Sequence, residues 1–336
     1  MNILNPFSDA FAKSDDPYRD MDPITRHFLN QLATADSTPL EQLAPEEARK
    51  VLSEAQKSIN VDTSGIDVEH RVIEIEGHMV SLTVTRPTGA KGTLPGVMFF
   101  HGGGWVLGDF PTHERFVRDL CLASGCAMIF VNYGRSPEAE YPSAVVECFL
   151  ATKWVSESGK EIKVDGKNIA VAGNSAGANM ATVVCLMAKE NGNIPAIKHQ
   201  TLFWPVTDAE FDTESYRRYE EGYFLTRNMM RWFWDQYSSH VDAKKEMYAS
   251  PLRTPLGKLE GMPPTLLQTA EYDVLRDEGE HYAHLLMQAG VEVTATRYLG
   301  TIHDFGLLNA LAITPASKNA IAQAAQEIRK HLGVQA

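Results

Sequence analysis

The chain has 336 residues, of which 44% are hydrophobic and 22% are charged, a balance typical of a globular protein with a large buried core. Its formal net charge is −12 at pH 7 and no basic run occurs, so nucleic acids and anionic membrane surfaces are poor partners. No stretch reaches the roughly 18 uninterrupted apolar residues of a membrane-spanning helix, and stable membrane insertion is not expected.

The N-terminal sequence and the cysteines bear on the cellular compartment. The opening segment, MNILNPFSDAFAKSDD, lacks the basic flank, the apolar run and the cleavage site of a secretory signal peptide. The cysteines are scattered in apolar surroundings without CxxC spacing; they are Cys121, Cys126, Cys148 and Cys185. They are therefore predicted to be free core residues of a reducing compartment, which favours a cytoplasmic location.

Apolar strand-like runs alternate with helical patterns from residue 68 onward. The predicted strands are Val72–Glu76, His78–Arg86, Gly96–Phe100, Ala127–Tyr133, Asn168–Gly173, Gln200–Pro205, Thr265–Ala270 and Val291–Leu299. The helices predicted between and after them are Glu114–Ala123, Pro142–Ser156, Ala176–Lys189, Glu278–Gln288 and Ser317–Leu332. A hairpin is expected across Gly77. The later strands are short and separated by helices, which predicts an α/β fold with a mostly parallel eight-stranded sheet covered on both faces.

Two segments depart from this alternation. Residues 1–60 contain two predicted helices and no strand, and residues 206–250 are helical and rich in aromatic side chains. Ligands of open α/β sheets bind at the carboxyl edge of the strands. We therefore expect both segments to form a helical cap over that edge, with the sheet built from residues 61–205 and 251–336.

A glycine-rich sequence, HGGGW at 101–105, directly follows the predicted strand Gly96–Phe100. Glycine is costly to hold in one conformation, but its bare backbone can approach a substrate closely. An HGGG run after an early strand is typical of the backbone donors that stabilise an oxyanion, so Gly103 and Gly104 are the candidate donors. The Lys and Ser/Thr of a phosphate loop and the pattern of a dinucleotide fingerprint do not occur here.

The sequence GNSAG at 173–177 lies between a predicted strand and an apolar predicted helix. This strand–turn–helix context is typical of a nucleophile elbow, in which a serine projects from a sharp turn. Ser175 is therefore the candidate nucleophile, and the N–H of Ala176 is a third candidate oxyanion donor. The alternative is a glycine-rich turn with a capping serine.

A general base and its acid partner should follow the serine in chain order. His303 lies in the loop TIHDFG after the final predicted strand, where a base can reach Ser175. Asp273 follows the strand Thr265–Ala270 and is the favoured acid. Asp277 with Glu280 three residues later is instead interpreted as a helix N-cap with its capping-box partner.

Several ordered motifs together resemble the bacterial hormone-sensitive-lipase-like branch of the α/β-hydrolase fold. They are HGGGW at 101–105, NYGRSPEAEYP at 132–142, GNSAG at 173–177, MPPTLLQTAEYDVLRDEG at 262–279 and TIHDF at 301–305. The resemblance covers roughly residues 70–310. It implies a cofactor-free and metal-free enzyme with Ser175 as nucleophile, His303 as base, Asp273 as acid, and an oxyanion hole from Gly103, Gly104 and Ala176.

The chain departs from the pattern of that family at four positions. Asn174 stands where Asp usually precedes the nucleophile, and Asp304 stands where Gly usually follows the catalytic histidine. Val274 and Gly134 replace a usual Pro and Arg. An additional carboxylate beside His303 is expected to raise the pKa of its imidazole.

The implied activity is hydrolysis of short- to medium-chain acyl esters through an acyl-enzyme. Aromatic residues are expected to line a bounded apolar pocket for this small-molecule substrate; they are Trp105, Phe203, Trp204, Phe224 and Trp232. The same triad would also suit an amidase, a lactonase, an arylformamidase or a transferase with an alcohol acceptor. A hydrolase-fold binding protein without catalysis is the alternative from another class. The sequence is compatible with a monomer or a homodimer.

Overall fold

The computed structural model describes residues 17–35 and 37–335. The segment assessed for a signal peptide, residues 1–16, lies outside the described residues, as does the first part of the predicted N-terminal helical segment. In the two described ranges, no helix combines the length and the apolar character that crossing a lipid bilayer requires.

One eight-stranded sheet organises the chain. Its strands are β1 (Ile66–Ile75), β2 (His78–Pro87), β3 (Leu94–Phe100), β4 (Ala127–Asn132), β5 (Val164–Asn174), β6 (Ile197–Phe203), β7 (Thr265–Tyr272) and β8 (Val293–Ile302). They lie in the order β1-β2-β4-β3-β5-β6-β7-β8. The β1–β2 and β2–β4 pairs are antiparallel and the other pairs are parallel. The predicted mostly parallel sheet is confirmed.

The hairpin and the central strands fold for reasons that are visible in the sequence. Ile75 pairs with His78 across Gly77, whose φ of +80° suits glycine at this tight turn. In β3, the run Val97–Phe100 is fully buried. Alternate residues of this run belong to two separate hydrophobic clusters, one on each face of the sheet. A short continuous apolar run therefore marks a strand that is covered on both faces.

Helices cover both faces of the sheet. The helices of the sheet region are α3 (Phe110–Ser124), α4 (Ser143–Ser158), α5 (Ala176–Glu190), α8 (Leu256–Leu259), α9 (Arg276–Gln288) and α10 (Pro315–Leu332). Buried residues of α3 and α10 belong to one hydrophobic cluster, whereas those of α4, α5 and α9 belong to the other. The predicted core cysteines are confirmed, since all are free and buried.

The start of α9 differs from the prediction. Asp277 does not cap this helix: the N-cap residue is Leu275, which makes no side-chain capping bond. Asp277 lies in the first turn and accepts a hydrogen bond from the N–H of Ser215 at 2.8 Å, while Glu280 pairs with Arg297. The predicted capping box of Asp277 and Glu280 is therefore wrong, because the chain enters the helix earlier than the spacing of these two acids indicates.

The described residues of the two segments outside the strand–helix alternation contain the predicted helices. They contain α1 (Pro23–Thr34), α2 (Pro45–Lys57), α6 (Glu214–Arg218) and α7 (Arg227–Tyr237). Side chains of α2 attach it to loops of the sheet region: Arg49 donates to the carbonyl of Ser136 at 2.9 Å, and Gln56 donates to the carbonyls of Thr112 and Leu307 at 2.7 and 3.2 Å. These bonds fix α2 beside the carboxyl edge of the sheet.

Candidate active site

The predicted site residues lie at the ends of four parallel strands. The glycine-rich loop 101–109 follows β3, Ser175 follows β5, Asp273 follows β7 and His303 follows β8. Because parallel strands all end at the same edge of a sheet, these segments converge there. The structure therefore brings together residues that are up to about 200 positions apart in the sequence.

Ser175 occupies a strained turn between β5 and α5. Its φ of +54° and ψ of −120° are rarely adopted by residues other than glycine, and such strain costs about 1–3 kcal/mol. The turn is tight enough that a Cβ added at Gly177 would overlap the carbonyl oxygen of Phe100. Glycine at 177 is thus required for close packing of α5 against the end of β3, and the turn projects the serine hydroxyl from the sheet edge.

Three side chains form a hydrogen-bonded line. The hydroxyl of Ser175 lies 3.0 Å from His303 Nε2, and Asp273 Oδ2 accepts from His303 Nδ1 at 2.7 Å. The other oxygen of Asp273 accepts from the N–H of Leu275 at 3.0 Å, which fixes the carboxylate. All three side chains are buried, and the arrangement can activate the serine as a nucleophile.

The imidazole of His303 is tuned by two carboxylates. Burial, the largest influence, acts to lower its pKa, but Asp273 and Asp304 act in the opposite direction. The net result is a pKa above the usual histidine value of 6.5. The sequence-based expectation that Asp304 acts in this direction agrees with the position of its carboxylate, whose Oδ2 lies 3.9 Å from His303 Nε2.

Unused backbone donors face the same edge. In the part of the chain that the structure describes, the N–H groups of Gly103, Gly104 and Ala176 donate no hydrogen bond. Gly103 and Gly104 line the cavity that contains Ser175, and Ala176 is the first residue of α5. Free N–H groups at a helix N-terminus and in a glycine loop favour an anionic oxygen, so these donors suit an oxyanion.

Gly104→Ala is expected to lower kcat/KM for an ester by about 10²–10³-fold. Gly104 has a φ of +58°, and an added Cβ would overlap the ring of Phe233, so the loop must shift and misplace the N–H groups. Steady-state kinetics with p-nitrophenyl acetate measure the loss. Gly257→Ala is the matched control, since its Cβ would meet no atom within 4 Å, and it should leave the kinetics unchanged. An active Gly104→Ala enzyme would argue against these donors.

Asn174 connects the segments that carry the site. Its Oδ1 accepts from the N–H of Gly102 at 2.9 Å, and its Nδ2 donates to Asp304 Oδ1 at 3.0 Å. The same Asp304 oxygen accepts from the indole N–H of Trp204 at 2.6 Å. The sequence identified Asn174 and Asp304 as unusual residues, but it gave no sign that the two side chains are in contact.

The cavity at Ser175 has a volume of about 150 Å³ and a mainly apolar lining. Besides Ser175, Gly103, Gly104, His303 and Asp304, its lining consists of Phe28, Leu32, Leu40, Val51, Leu52, Ala55, Leu107, Phe224, Leu225, Met229, Met230, Phe233 and Leu308. Leu107 and Leu308 belong to the loops after β3 and β8, and the other residues in this list come from α1, α2, α7 and the loops around them. The N-terminal helices and the 206–250 segment therefore contribute most of the cavity wall at the sheet edge.

Only one of the aromatic residues predicted to bind substrate, Phe224, lines this cavity. Trp105 is fully buried and stacks on Tyr237 with ring centroids 4.0 Å apart. Phe203 and Trp204 are also buried in the core, and Trp232 is only partly buried, packed against the core cluster. The assignment of these four as pocket residues is corrected, because they pack against other side chains rather than facing the cavity.

Most residues of the pocket wall were not predicted from the sequence. Phe233 lies against Gly104, yet nothing in the sequence distinguishes it from its aromatic neighbours in α7. The N-terminal helices were expected over this edge, but their wall residues were not identified, although the four-residue spacing of Phe28 and Leu32 indicates one apolar helix face. The identity of a pocket residue depends on how separate segments meet, which local sequence patterns do not specify.

Comparison with known proteins gives consistent matches. A family profile for the alpha/beta hydrolase fold matches residues 97–307. An arylesterase of Saccharolobus solfataricus is 32% identical over 294 residues, covering 85% of this chain and 92% of that protein. A carboxylesterase of Mycobacterium tuberculosis is 31% identical over 267 residues, covering 79% and 83%.

A solved structure is more similar still. The crystal structure of a thermostable esterase from Pseudomonas putida matches this chain with a TM-score of 0.93 and 53% sequence identity. The match covers 96% of this chain and 100% of that one. The likeness therefore extends beyond residues 97–307 and includes the helical segments over the sheet edge.

Proposed function

Because the chain belongs to the alpha/beta hydrolase fold family, in its hormone-sensitive-lipase-like branch, and is a carboxylic ester hydrolase, we propose that Ser175, His303 and Asp273 are its catalytic triad. The observation that carries this proposal is the line of two hydrogen bonds, of 2.7 and 3.0 Å, that ends at a serine facing an apolar cavity.

In the first half-reaction, Ser175 Oγ attacks the ester carbonyl carbon while His303 Nε2 takes the hydroxyl proton. Asp273 holds the proton on Nδ1, and this keeps Nε2 free to act as the base. The N–H groups of Gly103, Gly104 and Ala176 stabilise the negative oxygen of the tetrahedral intermediate. His303 then protonates the leaving alkoxide, and the acyl group remains on Ser175.

In the second half-reaction, water replaces the alcohol. His303 Nε2 takes a proton from a water molecule, whose oxygen attacks the acyl carbon. The second tetrahedral intermediate collapses, the carboxylic acid leaves, and the proton returns to Ser175 Oγ. Every proton transfer passes through Nε2, so the ionisation of His303 controls both half-reactions.

The cavity supports esters with short to medium acyl chains. Its volume of about 150 Å³ is below the roughly 300–1,000 Å³ typical of sites for drug-sized ligands, and its lining offers hydrocarbon contacts. An adjoining cavity of about 320 Å³ shares Leu32, Leu40, Val51, Phe224 and Met229 with it, which leaves room for a medium chain. The carboxylesterase and arylesterase activities named for the relatives fit this substrate class.

The helical segments complete this proposal. The described residues before 61 and residues 206–250 act as a cap that bounds the substrate cavity, and residues 61–205 and 251–335 form the catalytic core. The three triad side chains belong to one chain, an arrangement compatible with either a monomer or a homodimer. The buried free cysteines suit a reducing, cytoplasmic compartment.

Hydrolysis of p-nitrophenyl esters from acetyl to palmitoyl tests the proposal. We expect cleavage of the short esters and a decline along the series as the acyl chain outgrows the cavity. Parallel assays with an anilide, a lactone and an N-formyl arylamine test the other hydrolase activities, and added methanol tests acyl transfer. A folded protein that binds these compounds and cleaves none of them would indicate a binding protein.

Activity is expected to fall as the pH drops through a midpoint above 6.5. Only the neutral imidazole of His303 can accept the serine proton. The two nearby carboxylates hold the pKa of this imidazole above the usual value of 6.5. The enzyme therefore begins to lose activity at a higher pH than an ordinary histidine would cause. The pH profile of kcat/KM for p-nitrophenyl acetate between pH 5 and 9 measures this midpoint. A flat profile would argue against His303 as the base.

A further inference from the structure

Asp304 is a buried acid whose conformation and position need explanation. Its φ of +58° lies in the left-handed region, where a residue other than glycine is strained. The residue is 7% exposed and lines the cavity of Ser175. One carboxylate oxygen accepts two hydrogen bonds, and the other lies 3.9 Å from His303 Nε2.

We propose that Asp304 is a second positioning carboxylate for the base, which stabilises the His303 imidazolium from the Nε2 side while Asn174 and Trp204 prevent it from taking the proton. This inference rests on the proposed esterase function. Asp273 acts on Nδ1 of the same ring, so the two acids lie on opposite sides of the imidazole.

The distances explain how Asp304 can stabilise the positive charge of His303 without accepting its proton. At 3.9 Å the carboxylate is too far from Nε2 to accept a hydrogen bond, but near enough to stabilise a positive charge. Asn174 and Trp204 both donate to Oδ1, at 3.0 and 2.6 Å, and so hold the carboxylate back. The proton therefore moves from Ser175 Oγ to Nε2 and on to the leaving oxygen, while Asp304 neither gains nor loses one.

Asn174 fits this arrangement because an amide both donates and accepts. Its oxygen is bound by the N–H of Gly102, one residue before the oxyanion donors, and its nitrogen is bound to Asp304. An aspartate at 174 has no proton to donate at neutral pH and would place a second negative charge against Asp304. The two unusual residues of the sequence are thus a matched pair.

Few charged groups act on His303 and Asp304. The carboxylates acting on His303 are those of Asp273 and Asp304. Asp304 also acts on the buried His113, whose pKa burial lowers to about 4, so that ring is neutral near pH 7. Asn174 and Trp204, the other partners of Asp304, carry no charge. Removal of the Asp304 charge should therefore change mainly the pKa of the His303 imidazole.

Asp304→Asn separates charge from hydrogen bonding. An asparagine keeps an oxygen for Asn174 and Trp204 and replaces only the oxygen that faces His303. We expect the acid limb of the kcat/KM profile to move to lower pH by about one unit. We also expect kcat at the plateau to fall by up to about tenfold, with KM for p-nitrophenyl acetate unchanged. An unmoved acid limb would overturn the proposal, whatever the change in rate.

Two further variants test whether the effect on His303 is specific to the charge of Asp304. Asp304→Gly removes the same charge at a backbone conformation that glycine adopts without strain, and it should move the limb in the same direction even if Asp304→Asn does not fold. Glu271→Gln is the matched control: Glu271 accepts from the N–H of Gly300 near the same loop but does not act on His303. A limb that moves equally in Glu271→Gln would refute a specific effect of Asp304.

A spectroscopic titration keeps this inference separate from the proposed function. The imidazole signal of His303 in NMR spectra, identified by its loss in His303→Gln, should titrate at lower pH in Asp304→Asn than in the wild type. If no ester is hydrolysed and the titration still moves, the esterase proposal fails and the electrostatic role stands. If esters are hydrolysed and the titration does not move, Asp304 does not act on the base.

Discussion

Replacing Ser175 with alanine is expected to lower the kcat for p-nitrophenyl acetate by roughly 10⁵- to 10⁶-fold. Among the described residues that line the cavity, Ser175 is the only one with a hydroxyl or thiol group. The variant therefore has no second nucleophile, and only water held near the oxyanion donors can attack the ester. What remains should approach the residual catalysis that binding and the oxyanion hole provide without a triad.

The fold of Ser175→Ala should survive, which makes the loss interpretable. The hydroxyl makes one hydrogen bond, to His303, and alanine keeps the same backbone turn. Thermal unfolding should therefore give a Tm close to that of the wild type. Ser64→Ala, at an exposed serine bound to Asp62, is the control and should be fully active. If Ser175→Ala kept more than a few per cent of the activity, another group would have to be the nucleophile.

Much of the fold was predictable because its determinants are local. A continuous apolar run such as Val97–Phe100 marks a strand buried on both faces, and the motifs at 101–105 and 173–177 follow their strands directly. Chain order together with a position in the loop after a strand then selected His303 and Asp273 from the other histidines and acids. Each of these inferences needed only neighbouring residues and the rule that parallel strands end at one edge.

The features that could not be predicted from the sequence depend on contacts between distant segments. Trp105 follows the glycine loop but turns into the core to stack on Tyr237, which is more than 100 residues away in the chain. The bond between Asn174 and Asp304 spans 130 positions. Both contacts depend on how the cap and the loops pack, and a single sequence has no period or motif that records such packing.

The start of α9 shows the same limit at short range. The pattern of Asp277 and Glu280 predicts a capping box, but the residue that shapes this turn is Asp273, which accepts the N–H of Leu275. One carboxylate thus binds the turn with one oxygen and His303 with the other. The catalytic requirement and the local turn share a side chain, and a rule for helix caps alone cannot recognise that.

Asp273→Asn is the second substitution with a large expected effect, a fall in kcat of about 10⁴-fold. The geometry explains why an isosteric change is so costly. The amide oxygen must accept the N–H of Leu275, so the amide nitrogen is left facing His303 Nδ1. Nδ1 then has to accept a hydrogen bond, which moves the imidazole proton to Nε2, and this tautomer cannot take the proton of Ser175.

Asp277→Asn provides the matched control for this argument. Asp277 lies four residues further along the chain, accepts from the N–H of Ser215 and pairs with Arg276, and does not contact His303. We expect its activity to stay within about twofold of the wild type and its Tm to fall slightly, because partly exposed ion pairs contribute little to stability. Steady-state kinetics and thermal unfolding of both variants compare the two acids. An equal loss of activity in both variants would mean that the turn before α9 needs its negative charges to hold its shape. A loss confined to Asp273→Asn would assign the effect to the tautomer of His303.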